Sequence, residues 1–265
     1  MRALPIVLFL CATTAFAQLG APSPTPAGFQ PTWTVGGQSY GPTLTGHFQG
    51  VQDGQPIAVD LNGDLGLGKD KATPGFLLDY QGPSFAFQIS NGSAEYRGDR
   101  VMNRTVIVDG TSYTSGTRVV SHVKLGTVDG IWTTKFVCES DAWLGFDLGL
   151  QVWTLDLDAT SAPTVGSPSS ASTRIKAPIP QIGLSGGSRG YNGAMEAKAY
   201  IHYLGYKRAK YTLYGVDLRV FPVSWFGLRA FYEGGSFDVP RGSIQDDLDV
   251  KLDRKGVGLG AVVRF

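Results

Sequence analysis

The side chains able to carry chemistry in this 265-residue chain are three histidines, a serine beside one of them, and acidic groups at short spacing. Ser121 and His122 are adjacent. Successive side chains in a strand project to opposite faces, so this hydroxyl and imidazole cannot share a proton. His47 and His202 belong to no His-x-Ser arrangement. Asp60, Asn62 and Asp64 have the alternate spacing that opens a calcium loop. That loop needs Gly at its sixth position and a bidentate Glu at its twelfth, and here Leu65 and Lys71 stand there. Gly63, Gly66 and Gly68 depart from the dinucleotide fingerprint. Two cysteines, Cys11 and Cys138, make neither a disulfide framework nor a Cys-rich zinc site. The sequence therefore predicts no metal, no cofactor and no catalysis.

The charged residues follow a different pattern, alternating with apolar residues at a period of two. Val257, Leu259, Ala261, Val263 and Phe265 share one face, opposite Gly256, Gly258, Gly260 and Arg264. Tyr214, Val216, Leu218 and Val220 oppose Gly215, Asp217 and Arg219; Leu228, Ala230 and Tyr232 oppose Arg229 and Glu233. Met195, Ala197, Ala199 and Ile201 oppose Glu196, Lys198 and His202; Leu144, Phe146, Leu148 and Leu150 oppose Gly145, Asp147 and Gly149. Strands with two chemically different faces produce this period.

One face is continuously apolar, whereas the other mixes Gly with charges of both signs. A soluble sandwich would turn a Lys-, Glu- and Thr-rich face to water. Gly with paired charges suits the crowded interior of a narrow barrel whose apolar face meets lipid. The expected lumen-lining network is Asp79, Lys124, Asp147, Glu196, Lys198, His202, Asp217, Arg219, Arg229, Glu233 and Arg264. Within it Asp217 is expected to compensate Arg219, Glu233 to compensate Arg229, and Lys198 to compensate Glu196.

These positions require ten strands, near residues 43–52, 75–82, 84–97, 118–138, 141–158, 176–189, 192–205, 210–222, 224–239 and 254–265. The fold class expected is all-β: a closed, antiparallel, up-and-down transmembrane barrel of about ten strands, with eight to twelve compatible with the spacing. Long gaps at 53–74, 98–117, 159–175 and 240–253 alternate with short turns, as loops and periplasmic turns do in such barrels. Trp132, Trp143, Trp153, Trp225, Tyr80, Tyr203 and Tyr232 are the expected interfacial girdles.

Composition agrees. Charged residues are 17% of the chain, with 36 Gly, 14 Phe, 11 Tyr and 5 Trp. A formal net charge of +1 without a basic cluster argues against nucleic acid as a partner. No uncharged apolar run approaches the ~20 residues of a membrane helix. Residues 1–17 read as a signal peptide: Arg2, an apolar run from Ile6 to Ala12, then Ala15-Phe16-Ala17 at the cleavage site. Cleavage would leave 265 − 17 = 248 residues with one thiol, Cys138. Residues 18–42 are expected to be a flexible Pro-rich lead-in and residues 43–265 the barrel.

The final segment, Gly256 to Phe265, resembles the C-terminal targeting strand of Gram-negative outer-membrane proteins, with Val257, Leu259, Ala261, Val263 and Phe265 as the assembly signal. Asp60 to Leu67, Tyr113 to Val119 and Leu144 to Leu150 resemble small outer-membrane β-barrel proteins of unassigned function. The resemblance covers roughly residues 40–265. It implies residence in the outer membrane of a Gram-negative bacterium, contact with its lipids and lipopolysaccharide, and handling by the barrel-assembly machinery and periplasmic chaperones. It implies no activity, because small barrels serve many functions. Barrels that modify lipid A place His, Ser and an acid near the outer rim, and the sequence offers no such set. The inward charges have two readings: a paired network filling a closed lumen, or a narrow path for small solutes. The functional expectation is a structural or narrow passive-pore barrel; the alternative is a lipid-modifying or ligand-binding barrel with a rim site.

Overall fold

The computed structural model describes residues 30–52, 55–108, 110–161, 168–242 and 248–265. The expected signal peptide and residues 18–29 lie outside the described residues. The chain folds as β1 (Thr32–Tyr40), β2 (Thr43–Gln52), β3 (Gln55–Asp60), β4 (Gly68–Gln81), β5 (Phe85–Val101), β6 (Val106–Val108), β7 (Thr111–Tyr113), β8 (Arg118–Cys138), β9 (Ala142–Ser161), β10 (Ser170–Gly190), β11 (Met195–Tyr206), β12 (Ala209–Val223), β13 (Phe226–Val239) and β14 (Leu248–Arg264). Neighbours pair antiparallel in the order β1-β4-β5-β8-β9-β10-β11-β12-β13-β14, and β14 returns to β1. Ten strands thus close a ring, which satisfies every backbone group along the wall without leaving an edge.

The closing seam joins β1 to β14. β1 lies along the C-terminal half of β14, from Thr34 opposite Arg264 to Tyr40 opposite Gly258. β2 continues along the N-terminal half, from Thr43 opposite Lys255 to Gly50 opposite Leu248. The break falls at Gly41-Pro42, where proline has no N–H to give the ladder. Beyond it the paths diverge: β1 pairs with β4, and β2 turns back on β3. The barrel therefore begins at Thr32, ahead of the expected boundary at 43. Residues 32–40 have a weak strand signature, since only Trp33 and Val35 mark the apolar face and Gly36-Gly37 interrupts it.

Strand length exceeds what a bilayer needs. β8 and β10 have 21 residues each and β9 has 20, against about 9–11 for a tilted membrane strand. The excess has a consequence in side-chain chemistry. Toward the end that carries Thr32 and Phe265, outward residues are apolar and exposed: Leu144, Leu184, Ile201, Leu218, Leu228 and Leu259. Toward the other end, the same parity carries Lys124, Asp156, Asp158, Arg174, Lys176 and Lys251, while Leu125, Leu155, Leu157, Ile179 and Leu252 point inward and are buried. Parity is continuous, yet polarity inverts part-way along each wall strand. The terminal half is built for lipid and the loop half for water.

The loop half also has a folded filling. The β2–β3 hairpin, the β6–β7 hairpin and the turn between β3 and β4 contribute Phe48, Ile57, Val59, Leu61, Leu65, Val106 and Val108 to one apolar cluster with the inner faces of β8, β9 and β14. Tyr113 Oη donates to Ala159 O at 2.9 Å, and Tyr96 Oη to Pro42 O at 2.8 Å, tying this filling to the wall. The long gaps at 53–74 and 98–117 are thus partly a core rather than open loops.

Candidate functional site

The polar residues of the inner face form two layers below that apolar filling. In the layer nearer Thr32 and Phe265, Arg219 Nη1 donates to Asp79 Oδ2 at 2.6 Å and its Nη2 to Asp217 Oδ2 at 3.0 Å. Arg229 Nε donates to the same Asp217 oxygen at 2.9 Å and its Nη1 to Gln38 Oε1. Its guanidinium lies 4.1 Å from the Phe231 ring centroid. Glu196 Oε1 receives Arg189 at 3.2 Å and Arg264 at 3.1 Å. Lys198 Nζ reaches across the lumen to Gln88 Oε1 at 3.0 Å. Asp147 is fully buried; it accepts from Thr133 Oγ1 at 2.6 Å and Ser185 Oγ at 2.8 Å, and pairs with His202 Nε2 at 2.8 Å.

The second layer centres on Arg254, 2% exposed. Its Nη2 lies 2.6 Å from Glu233 Oε1, and its guanidinium sits 4.7 Å from the ring centroid of Trp153 on the opposite wall. Tyr200 Oη donates to Glu233 Oε2 at 2.7 Å. Gln151 donates to Asp129 and accepts from both Trp153 Nε1 and Tyr211 Oη. Desolvated charges persist only when paired, and the arginines of both layers meet carboxylates through contacts that cross between strands, while Asp217 Oδ1, His202 Nδ1 and Arg254 Nε are buried without a hydrogen-bond partner. Glycine makes the crowding possible. A Cβ on Gly258 would run into the Phe231 ring, and one on Gly215 into the Tyr200 phenol.

Of the residues expected inside, Asp79, Asp147, Glu196, Lys198, His202, Asp217, Arg219, Arg229, Glu233 and Arg264 all lie in this network. Lys124 does not. It is exposed on the outer wall, opposite Glu95 and Asp156 in register, because it lies above the level where polarity inverts. Two expected pairings also change: Arg229 takes Asp217 instead of Glu233, and Glu196 is held by arginines instead of Lys198. Trp143 and Trp153 are buried inside the barrel, while Trp132, Trp225, Tyr203 and Tyr232 are exposed on the outside as girdle residues should be. Val257, Leu259, Ala261, Val263 and Phe265, expected from the sequence to be an assembly signal, face outward.

Arg254, Tyr211 and Asp129 were not among the residues expected on the inward face, whereas Tyr200 and Gln151 follow the inward parity of Lys198 and Asp147. Arg254 shares parity with Gly256, Gly258 and Arg264, and Gln151 with Asp147, so alternation already places both indoors.

The remaining candidates separate. His47 lies 3.3 Å from Asp249 and His122 3.6 Å from Glu95, both partly exposed. Ser185 bonds Asp147, so the imidazole of His202 has an acid partner but no hydroxyl donating to its other nitrogen. Asp60 Oδ1 accepts from the backbone of Asn62 at 3.0 Å and Gly63 at 2.5 Å, an Asx-type turn. Asp64 is held by a bidentate Arg104 and by the Asp60 N–H at 2.8 Å. That segment is a capped turn with Leu61 and Leu65 driven into the core.

No protein-family model and no curated protein matches the sequence. Among solved structures, the outer membrane protease OmpT from Escherichia coli superposes with a TM-score of 0.56 at 10% identity, over 92% of this chain and 99% of that one. Ail of Yersinia pestis, described in complex with a heparin analogue, matches at TM-score 0.32 and 15% identity, over 89% of this chain and 100% of its own. The outer membrane protein OprG from Pseudomonas aeruginosa matches at 0.31 and 10%, over 92% and 99%. With its closed ten-strand ring and exposed apolar belt, the chain has the fold of a Gram-negative outer-membrane β-barrel.

Proposed function

We propose that this protein is a closed, non-catalytic structural barrel of the outer membrane that holds its folded loop end rigidly above the bilayer. The observation that supports this reading is the occupied lumen: two cross-linked polar layers within the membrane-facing half, and an apolar cluster above them. A solute path needs hydrated charge that an ion can leave as easily as it enters. Here the charges are committed to one another. The short turns and the β1–β14 seam end at Thr32 and Phe265 then lie on the periplasmic side, and the Arg- and Lys-bearing outer wall faces lipopolysaccharide. Planar-bilayer recording of refolded protein tests the reading. Silence at all voltages is expected; steady unitary conductance from the wild-type barrel, blocked by Gly215→Trp, would overturn it in favour of the narrow pore.

A further inference from the structure

The outer wall carries a shallow groove at the level where polarity inverts. Four adjacent strands line it: β4 with Pro74, β5 with Asn91 and Ser93, β8 with Gly126 and Val128, and β9 with Val152 and Thr154. Its volume is about 230 Å³, against ~30 Å³ for a water molecule. The groove exists because Gly126 puts no side chain between Ser93 and Thr154, its neighbours in register. A Cβ there would meet no atom closer than 3.9 Å, so packing does not demand glycine. The Ser93 and Thr154 hydroxyls make no hydrogen bond among the described residues. One register step toward the loop end, Lys71, Glu95, Lys124, Asp156 and Arg174 stand side by side across five strands. Such alternation should pair Lys124 with a flanking carboxylate. Instead Glu95 lies 3.6 Å from His122, and Asp156 accepts from Arg174. Lys124, and Lys176 beside Thr154, are left without an ion pair among the described residues. Around the groove Lys71, Lys124, Arg174 and Lys176 therefore face only Glu95 and Asp156, a local surplus of positive charge. One step the other way, Val128 and Val152 begin the lipid belt.

We propose that this groove binds a phosphorylated glycolipid of the outer leaflet. The phosphate would sit over Thr154 and accept from Lys124 and Lys176, sugar hydroxyls would meet Asn91 and Ser93, and an acyl chain would run down over Val128 and Val152. Lys176 is directly opposite Thr154 and Lys124 is diagonal to it, a separation that long side chains span. The phosphate answers the surplus of cations with charge-assisted bonds. A row of hydroxyl and amide groups suits a sugar better than a glycerol backbone, and the apolar end of the groove runs on into the lipid belt. The proposal rests on the orientation given above, with the loop half outermost, and is independent of whether the lumen conducts.

Native mass spectrometry of the refolded barrel in detergent tests this with four probes: bisphosphorylated lipid A, lipid A stripped of its phosphates, phosphatidylglycerol and inorganic phosphate. One retained lipid A per barrel is expected, with dephosphorylated lipid A and phosphatidylglycerol each held at least about tenfold more weakly. Millimolar inorganic phosphate should not displace it. Lys124→Met, which removes charge, and Gly126→Leu, which fills the groove, should each weaken lipid A about tenfold. Gly130→Leu should leave binding unchanged; it lies on the same face of β8 within the lipid belt, where a Cβ meets nothing within 4 Å. Amine-reactive labelling of the wild-type barrel needs no variant. Lipid A should protect Lys124 and Lys176 from acylation and leave Lys255 labelled, on β14 four strands round the ring from β8. Equal retention of either comparison lipid, displacement by phosphate, undiminished binding to Gly126→Leu, or unprotected Lys124 would overturn the proposal. Conductance would overturn the closed-barrel reading and leave this site standing, whereas loss of phosphate dependence would do the reverse.

Discussion

Arg219 and Asp79 meet across the lumen, Nη1 to Oδ2 at 2.6 Å, although 140 positions separate them in sequence. Three strands lie between β12 and β4 along the shorter way round the ring. The bond is a strut through the interior, and its partners are almost wholly shielded from water. Replacing Arg219 by Met leaves two buried carboxylates, Asp79 and Asp217, short of their counter-charge. The expected loss is about 3–5 kcal/mol of folding free energy, measured by urea-dependent unfolding of the barrel in lipid vesicles. A loss under about 1 kcal/mol would mean that the strut is no more than a surface-type pair.

The inversion of polarity along the wall predicts opposite responses at two leucines. Leu218 faces outward in the lipid-facing half and is 48% exposed; Leu157 faces inward in the loop half and is 1% exposed. Leu218→Arg should destabilise by about 2–4 kcal/mol in vesicles. Leu157→Ala should cost about 2–5 kcal/mol as a core cavity. The other neighbour of Leu157 on the outer wall, Asp158, stands opposite His122 and Ser172 and should accept Lys with little change. If Asp158→Lys proved as damaging as Leu218→Arg, the lipid belt would extend higher than the charged outer residues allow.

Closure at the seam gives Phe265 a structural part besides the targeting role expected of it. The Trp33 N–H donates to Phe265 O at 2.8 Å, and the Phe265 N–H to Trp33 O at 3.0 Å. Deleting Phe265 removes both bonds at the point where the first and last strands lock. Deletion of Phe265, or Val263→Asp, is expected to prevent accumulation of the folded barrel in cells, read as loss of the heat-modifiable band on gels. The two variants separate at refolding in vitro. Val263→Asp should refold into detergent while failing in cells, and normal insertion of both in cells contradicts the assembly-signal reading.

Above the lipid belt, the Arg118–Asp99 pair provides a pH-dependent marker. The hydrogen bond from Arg118, at 2.7 Å from Nε, holds the Asp99 carboxyl below its usual range. A carboxyl depressed on folding adds stability above its unfolded value, near 3.9, and that stability is lost as pH falls through the folded value. Both groups are exposed, so the effect on stability is small. The direct readout is the side-chain carboxyl chemical shift of Asp99. Its titration midpoint should lie below the model-peptide value, and Arg118→Met should return it there. An unchanged midpoint in that variant would show the bond to be absent in solution.

Alternation alone determined the strand faces. Leu144 to Leu150, Tyr214 to Val220 and Val257 to Val263 announce their outward parity because β side chains repeat every two residues whatever the partner strand. The same rule had already placed Trp143, Trp153 and Arg254 indoors, and their aromatic or strand-end character obscured it. What parity cannot give is height. Lys124 alternates with Val123 and Leu125, a pattern identical to that of a lipid-facing strand, yet these apolar neighbours fill the loop-end core and the lysine faces water. Only the register of each strand against the next, accumulated around the ring, sets the level at which polarity inverts. The partners across the lumen, Asp79 with Arg219 and Trp153 with Arg254, depend on that register and on ring closure. They join residues that no local spacing connects, so the tertiary structure alone decided them.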